Sequence, residues 1–372
     1  MFNVKIRSII VNKVGSPKIF VYLVIWLMVL VFFGTIAQRN NGLYLVQLDY
    51  FSSWIKWFGF LPTSSAKLTM LCMTINLSAY FFRYNIFKIQ KIGITITHSG
   101  MLLLLLGSGL TSIFSVEGSM IIDEGNRSNF FENYYKKEFV VINSSDNKYD
   151  EYTIFDEEFL YRDALLYSKT IPFDIEVLDY YINCQPVQRV YFGNENFKGM
   201  AKNFYLQKLK IEKDYEHNRP GIIFELKGKD DNQYDGVYIL FMGQAIPQKF
   251  GLFEVKLRPY RTYLPFEIEL IDFKKEMHPG TDIAKSFSSE INLIENDISR
   301  KVLIEMNAPL RHYDYTFYQA SFIEQNDKEA TVLATVKNYG RIFPYISSIV
   351  MCIGILIHMF FMLFKNFKKR KV

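Results

Sequence analysis

Cysteine is scarce in this 372-residue chain, which has three cysteines, and only Cys184 lies outside a long apolar run. One cysteine in the polar part of the chain cannot close an intramolecular disulfide there, so that part must be held together by its own core. No CxxC pair, zinc-ligand spacing or CxxCH haem-attachment motif occurs in the sequence. Cys184 is therefore interpreted as a buried small hydrophobic residue, with a free thiol as the alternative.

Familiar catalytic motifs are also missing. The sequence has no GxSxG, no HExxH and no glycine-rich phosphate loop, so no hydrolase or nucleotide chemistry is predicted. His217, His278 and His312 stand in polar surroundings and are predicted to be surface residues. Segment 115–341 contains all but one of the 38 Asp and Glu residues, and this acidity argues against nucleic acid as a partner. We expect this segment to be a docking domain without catalytic residues.

Charge is nearly absent from four apolar runs, which predict transmembrane helices over 19–37, 67–83, 92–114 and 342–364. About 20 helical residues, each rising about 1.5 Å, cross a bilayer core of about 30 Å. The second run is the shortest and contains Asn76, which favours packing against another helix. A buried helix of a soluble domain is the alternative for that run. For the first run, signal-peptide cleavage after Ala37 is the alternative, although the run is long for a signal peptide.

The three basic segments next to these runs all fall on one side of a four-pass arrangement, and the positive-inside rule assigns that side to the cytoplasm. They precede the first run, separate the second from the third, and follow the fourth: Lys5, Arg7, Lys13, Lys18; Arg83, Lys88, Lys91; Lys365, Lys368, Lys369, Arg370 and Lys371. The sequence therefore predicts a multi-pass membrane protein with both termini in the cytoplasm. The remaining predicted segments are a cytoplasmic tail (1–18), an exterior loop (38–66), a cytoplasmic loop (84–91), an exterior domain (115–341) and a basic cytoplasmic tail (365–372).

The exterior domain reads as a succession of strands, with β-branched and aromatic residues alternating with polar ones. Turn-forming Gly, Asn, Asp and Pro residues separate them. A mostly antiparallel, sandwich-like domain inserted between the third and fourth membrane helices is predicted. Its predicted strands are 138–142, 173–178, 203–211, 221–226, 236–241, 253–257, 265–271, 301–306, 315–322 and 330–336.

Two histidines, His98 and His358, lie within predicted membrane helices. An ionisable residue in the bilayer indicates a functional site, and a neutral imidazole is a common axial ligand of haem iron. Counting about 1.5 Å per residue from the ends of the runs predicts that both lie about 9 Å inside the cytoplasmic edge, in one layer. Small residues around His98, such as Gly93 and Gly100, would let a neighbouring helix or a flat ligand approach. An interhelical hydrogen bond is the alternative role for each histidine.

Several segments, taken in order, resemble the ResB (CcsB) family of System II cytochrome c biogenesis. They are 34–38 (GTIAQ), 41–44 (NGLY), 98–107 (HSGMLLLLLG), 264–273 (LPFEIELIDF), 278–281 (HPGT), 306–310 (MNAPL), 315–322 (YTFYQASF), 341–345 (RIFPY) and 351–358 (MCIGILIH). The resemblance covers nearly the whole chain. It implies a partner of the ResC (CcsA) type, sometimes fused, whose tryptophan-rich motif is absent here.

The resemblance also implies that His98 is an axial ligand of haem b in the membrane and that it binds the haem iron. The partner would supply the second ligand. His358 is the weaker candidate. The predicted function is delivery of haem for attachment to the CxxCH motif of apocytochrome c, by a complex in which this chain is not catalytic alone. The alternative is a non-enzymatic membrane scaffold or receptor with a β-rich docking domain.

Overall fold

The computed structural model describes residues 11–82, 88–146, 148–190, 196–229, 231–281, 284–296, 298–325 and 328–370. Lys5, Arg7 and Arg83 of the predicted cytoplasmic flanks, parts of segments 1–18 and 84–91, and residues 371–372 lie outside the described residues. The chain divides into two compact units. The first comprises residues up to Val116, Arg311–Thr316 and the residues from Val336 onward; the second comprises Glu117–Leu310 and Phe317–Thr335.

The first unit is built on four main helices, α1 (Pro17–Asn41), α2 (Ala66–Phe81), α3 (Ile92–Phe114) and α4 (Phe343–Arg370). α1 begins with Pro17 in its first turn, where the backbone N–H has no partner within the helix. It ends at Asn41 and is followed by Gly42, whose φ of 78° suits glycine. Among the described residues, α1, α3 and Phe343–Phe364 of α4 are long and apolar enough to cross a membrane. The 16 residues of α2 rise only about 24 Å, so a crossing by the second run stays a prediction.

Helices α3 and α4 are held together by small residues spaced seven apart on both helices. These are Gly93, Gly100 and Gly107 on α3, facing Gly340, Ser347 and Gly354 on or just before α4. We call these six residues the glycine interface. A Cβ added to Gly93 would lie 2.5 Å from the backbone nitrogen of His358. The backbones therefore approach as closely as small residues permit, which replaces the hydrophobic driving force that is absent between helices in lipid.

The chain between α1 and α2 forms a compact element. It contains a helical turn (Leu43–Val46), a π-helical stretch (Gln47–Ser52) and a hairpin of β1 (Ile55–Phe58) and β2 (Leu61–Ser64). We call Leu43–Ser64 the α1–α2 connection. Its buried residues Val46 and Tyr50 form a core cluster with Leu30 of α1 and Ala66 of α2, and Phe58 packs against that cluster. The connection is therefore folded onto α1.

The second unit holds most of a ten-stranded sheet in the order β15-β14-β13-β4-β3-β18-β17-β16, with β12 pairing β13 and β5 pairing β4. A four-stranded sheet follows the order β11-β10-β7-β6, and β8 pairs β9. The strands are β3 (Val116–Asp123), β4 (Arg127–Asn143), β5 (Glu151–Asp156), β6 (Leu165–Leu166), β7 (Phe173–Tyr181), β8 (Cys184–Gln188), β9 (Phe204–Lys208), β10 (Gly221–Gly228), β11 (Gly236–Phe241), β12 (Gln248–Phe250), β13 (Phe253–Met277), β14 (Ala284–Glu295), β15 (Ile298–Glu305), β16 (Leu310–His312), β17 (Tyr315–Gln325) and β18 (Lys328–Lys337).

The main core lies where the four-stranded sheet faces β4 and β13. Phe139 and Val255 from the large sheet share one buried cluster with Ile175, Phe224 and Leu240 from the small sheet. Their alternation along each strand places every second side chain in this core. The large β-rich domain expected from the sequence is thus present, and its described strand registers are antiparallel.

Strand β13 joins two segments that the sequence predicted as separate strands. Pro259 lies between those segments and Pro265 begins the second, and proline cannot donate a hydrogen bond to a sheet. The structure accommodates both at irregularities, because the register against β4 shifts between Pro259 and Arg261 and again between Tyr263 and Ile268. The prediction of two strands was therefore wrong, since a bulge lets a strand continue past proline.

Candidate functional site

His98 lies on α3 with its ring orientation fixed by the helix itself. Its Nδ1 is 2.7 Å from the carbonyl oxygen of Ile94, one turn earlier. A carbonyl oxygen can only accept a hydrogen bond, so Nδ1 carries the proton and donates it. The other ring nitrogen, Nε2, then has a free lone pair, which is the form of imidazole that binds a metal.

One face of the His98 ring is covered by Tyr80 of α2. The two ring centroids are 4.8 Å apart and the rings are inclined by 22°. Asn76, one turn before Tyr80, holds α2 against the N-terminal segment by donating hydrogen bonds to the carbonyl oxygens of Val14 and Ser16. His98 is therefore clamped between its own helix and the end of a neighbouring one.

The small residues around His98 do not provide a site for a flat ligand. Added Cβ atoms at Gly93, Gly100 and Gly107 would meet α4, so the slim face of α3 is occupied by a helix. His98 is two residues before Gly100, and about 100° per residue puts it on the far side of α3 from the glycine interface. Of the two neighbours predicted for this slim face, a helix or a flat ligand, the structure shows the helix, α4. Any ligand at His98 must come from another direction.

His358 and His98 do not share one layer. The His358 backbone packs against Gly93, whereas Gly354 packs against Thr97. His358 is therefore level with a residue five positions before His98, an offset of about 7.5 Å along α3. Counting from the ends of the apolar runs failed because α4 continues to Arg370 and its register is set by the glycine interface. His98 and His358 thus lie on different sides of α3 and at different levels.

The hydroxyl groups around His98 are already satisfied. Thr95, Thr97 and Ser99 each donate to the carbonyl oxygen four residues earlier, at 3.0–3.2 Å, a pattern common for such residues inside helices. Among the described residues, the one hydrogen bond found for the His98 ring is that of Nδ1. One imidazole supplies one axial position, so a six-coordinate haem would need a second ligand in addition to His98.

Tyr80 is the part of the site that sequence reasoning missed. It lies in the second apolar run, 18 positions before His98, and no spacing connects the two. The available signal was topological: Tyr80 stands near the end of α2 and His98 near the start of α3, so antiparallel helices joined by a short segment bring them to one level.

In the second unit, a buried ion pair joins β4 to β13. Arg258 Nε donates to Glu138 Oε1 at 2.7 Å, and the guanidinium also lies over the Tyr152 ring. Glu138 Oε2 and Arg258 Nη2 have no hydrogen-bond partner among the described residues. Burial raises the pKa of Glu138, while Arg258 opposes that rise. One internal water between the two free atoms would satisfy both, so the pair is interpreted as structural.

Glu157 anchors a second polar group in this domain. It accepts hydrogen bonds of 2.9 Å from the Tyr180 hydroxyl and from the backbone N–H of Lys137. Burial raises the pKa of Tyr180 and lowers that of the Lys137 ammonium, although Glu157 partly restores the latter. Burial also raises the pKa of Tyr134 to about 12. Burial is the largest cause of each of these shifts.

The remaining residues singled out from the sequence are unremarkable in position. Cys184 is only 3% exposed, as predicted, and burial raises the pKa of its thiol to about 11. His217 and His278 are exposed and His312 is half-buried. The described residues contain no group of three or more His, Cys, Asp and Glu side chains placed to hold a metal ion. A cavity of about 270 Å³ in this unit, lined by Phe173, Tyr234 and neighbouring residues, is below the usual size of a ligand pocket, about 300–1,000 Å³.

Comparison with known proteins connects these features to a family. Residues 233–341 match the model of the ResB-like family. The chain is also similar to Protein NrfI of Wolinella succinogenes, with 24% identity over 297 residues. That similarity covers 76% of this chain but 29% of NrfI, so the chain spans less than a third of the relative it matches. The resemblance inferred from the sequence motifs is confirmed.

Proposed function

We propose, from the premise that this chain belongs to the ResB-like family, that it is a membrane subunit of a cytochrome c biogenesis complex. Its task is to hold haem b in the membrane and to help deliver it for attachment to the CxxCH cysteines of apocytochrome c. The haem is cargo and is not a resident cofactor of the chain. The chain acts together with a ResC-type partner in the bacterial cytoplasmic membrane, with the β-rich domain on the outer side.

The single observation that carries this proposal is the state of His98. The bond from Nδ1 to the Ile94 carbonyl fixes the tautomer in which Nε2 can bind iron. A carbonyl partner on the distal nitrogen also raises the basicity of the ligating one. Tyr80, stacked on the ring, prevents rotation of the imidazole. A merely structural histidine on a lipid-spanning helix would be expected to use both nitrogens in hydrogen bonds, because an unsatisfied polar atom in a membrane is costly.

The positions of the two histidines support a model in which each chain supplies one axial ligand. His98 supplies one axial position, and His358 faces a different side of α3, so the second ligand comes from the partner. His98 orients the haem and holds it out of water until delivery. The contribution of the exterior domain is to position the apocytochrome or the partner.

The test is the haem content of the complex purified with its partner. His98→Ala should lose the six-coordinate haem spectrum and abolish cytochrome c maturation while the protein remains in the membrane. Added imidazole should restore both in part, since it can fill the vacated axial position. His358→Ala is the matched control and should retain haem.

Normal haem content and maturation in His98→Ala would refute the ligand assignment and make His358 the better candidate. Loss of haem without rescue by imidazole, together with reduced membrane levels, would show that His98 is structural. Wild-type complex without haem and with normal maturation would favour the scaffold alternative.

A further inference from the structure

The chain just before α1 makes a sharp turn that packs on the end of α2. The backbone N–H of Gly15 donates to the carbonyl oxygen of Val11 at 2.9 Å, which closes one helical turn. Ser16 then takes an extended conformation, with φ of −73° and ψ of 131°. This break is expected because Ser16 precedes Pro17, and proline disfavours the α conformation in the residue before it. We call residues 11–16 the N-terminal turn.

Asn76 of α2 holds the N-terminal turn with its side-chain amide. Its Nδ2 donates to the carbonyl oxygens of Val14 and Ser16, and these two bonds use both hydrogens of the amide group. Asn76 is only 5% exposed, so water has little access to the bonds. Hydrogen bonds in such a low-dielectric interior are stronger than in water. The N-terminal turn is therefore firmly attached to α2.

Gly15 brings the N-terminal turn against the backbone of Tyr80. Gly15 is buried, and an added Cβ would lie 3.0 Å from the carbonyl carbon of Ala79 and 3.0 Å from the backbone nitrogen of Tyr80. Normal contact needs about 3.5–4.0 Å between heavy atoms, so a side chain at this position would push the turn away from α2. The backbone of Gly15 lies outside the left-handed region. Lack of space, and not conformation, thus requires glycine here.

Tyr80 lies in a part of α2 that would be weakly held without the N-terminal turn. The helix ends at Phe81, and the last carbonyl groups of a helix have no partner within it, so helix ends fray. Asn76 is one turn before Tyr80 on the same face of α2, and Gly15 lies against Tyr80 itself. The N-terminal turn therefore holds the last turn of α2 in place.

The position of Tyr80 in turn determines the orientation of His98. The Tyr80 and His98 ring centroids are 4.8 Å apart, with 22° between the ring planes. Nδ1 of His98 is bonded to the carbonyl oxygen of Ile94. This bond and the stacked tyrosine ring together fix the plane of the imidazole. The direction in which Nε2 points therefore depends on where the last turn of α2 lies.

We propose that Asn76 and Gly15 are positioning residues for His98. They hold the N-terminal turn on the end of α2, which keeps the Tyr80 ring on the imidazole and directs Nε2 toward its ligand. The proposal rests on the proposed function only for the identity of that ligand, the haem iron. Groups that orient a ligating histidine typically contribute about 10–100-fold to metal affinity. Loss of the Asn76 amide should therefore weaken haem binding by about that factor, although His98 is still present.

The first test measures the orientation of His98 without haem. The full chain, with isotope-labelled histidine, is reconstituted in lipid nanodiscs, and the His98 ring signals are identified by their loss from the NMR spectrum of His98→Ala. Stacking on an aromatic ring moves proton signals upfield, so Tyr80→Leu should abolish this shift and Tyr80→Phe should preserve it. Asn76→Ala and Gly15→Val should reduce the shift, because each releases the last turn of α2. Gly15→Val keeps Asn76 and tests the same contact if Asn76→Ala does not insert.

Thr74→Ala is the matched control on the same helix. Its hydroxyl donates to the carbonyl oxygen of Met70 at 2.9 Å, so the change removes a hydrogen bond within α2 without affecting the N-terminal turn. The His98 signal should stay as in the natural chain. An unchanged His98 signal in Asn76→Ala or, if that variant does not insert, in Gly15→Val would overturn the proposal. An equal change in Thr74→Ala would also overturn it, because general loosening of α2 would then explain the effect.

The second test uses the complex with its ResC-type partner and separates this proposal from the haem assignment. Asn76→Ala should bind haem about 10–100-fold less tightly and should change the electron paramagnetic resonance g values of the ferric haem, which depend on the orientation of the axial imidazole. Tyr80→Phe should retain both properties. Unchanged affinity and g values in Asn76→Ala would overturn the positioning role in haem binding. A wild-type complex without haem would refute the proposed function, while the nanodisc measurement would still decide whether Asn76 and Gly15 orient His98.

Discussion

The glycine interface predicts that one methyl group at Gly93 will separate α3 from α4. A Cβ there would lie 2.5 Å from His358 N, 2.7 Å from Gly354 O and 2.8 Å from His358 Cα. All three are backbone atoms, so no side chain can move aside. Normal contact needs about 3.5–4.0 Å between heavy atoms, which requires the helices to move apart by about 1 Å. Overpacking of this kind costs about 1–3 kcal/mol, and we expect Gly93→Ala to destabilise the chain by that amount.

Gly109→Ala is the matched control on the same helix. Nothing lies within 4 Å of an added Cβ at Gly109, so the methyl group enters open space. Alanine is a better helix former than glycine by about 1 kcal/mol, and this variant should be neutral or more stable. The two changes are chemically identical, and their difference reports the helix contact alone.

The assay is thermal unfolding of the purified full chain in detergent, followed by the helical circular dichroism signal. Gly93→Ala should unfold at a lower temperature than the natural chain, and Gly109→Ala at the same or a higher temperature. A disulfide between cysteines introduced on facing positions of α3 and α4 should form less readily in Gly93→Ala. Equal unfolding of the two variants would refute the close backbone approach, and with it the level assigned to His358.

Three further outcomes are expected. Cys184→Ser should destabilise the exterior domain by about 1–3 kcal/mol, because it buries a hydroxyl without a partner. Cys352→Ser, at an exposed position, should not. Denaturant unfolding measures both variants, and equal effects would contradict the packing at Cys184. Above pH 10.0, the ordinary pKa of tyrosine, the folded chain keeps the Tyr180 proton while the unfolded chain loses it. The free energy of unfolding should therefore fall as the pH rises above 10.0. The fall should be shallower in Tyr180→Phe. Fusions at Gly228 and Val372 should give alkaline phosphatase activity only at Gly228, and the reverse would invert the topology.

Long apolar runs were the most readable feature of the sequence. The runs at 19–37 and 92–114 coincide closely with α1 and α3, because a membrane-length helix needs continuous apolar residues whatever surrounds it. The strand at 236–241 was likewise predicted with its observed bounds, since its alternation and flanking glycine are local signals. Strand β14 was missed, because its serine-rich start, Lys285 to Ser289, lacks the β-branched residues that mark a strand.

Only part of the candidate site could be predicted from the sequence. His98 was visible because an imidazole in an apolar run is conspicuous. The side of α3 that His98 faces could not be predicted, because glycine residues predict a close approach without indicating which element approaches. The α1–α2 connection was hidden for the same reason: a segment of 22 residues rich in Trp and Phe can sit outside a membrane or fold back into it. The contact of Phe58 with Trp26 shows that the connection folds back along α1.

The glycine interface also imposes an order on synthesis. α3 ends at Phe114 and its partner helix runs from Phe343 to Arg370, so the ribosome must add more than two hundred residues before the two can meet. At about 5–20 residues per second this leaves α3 unpaired for roughly 10–50 s. During that interval its glycine face is open to any other small-faced helix being inserted nearby. The length of the β-rich domain therefore determines how long α3 remains without its native neighbour during synthesis.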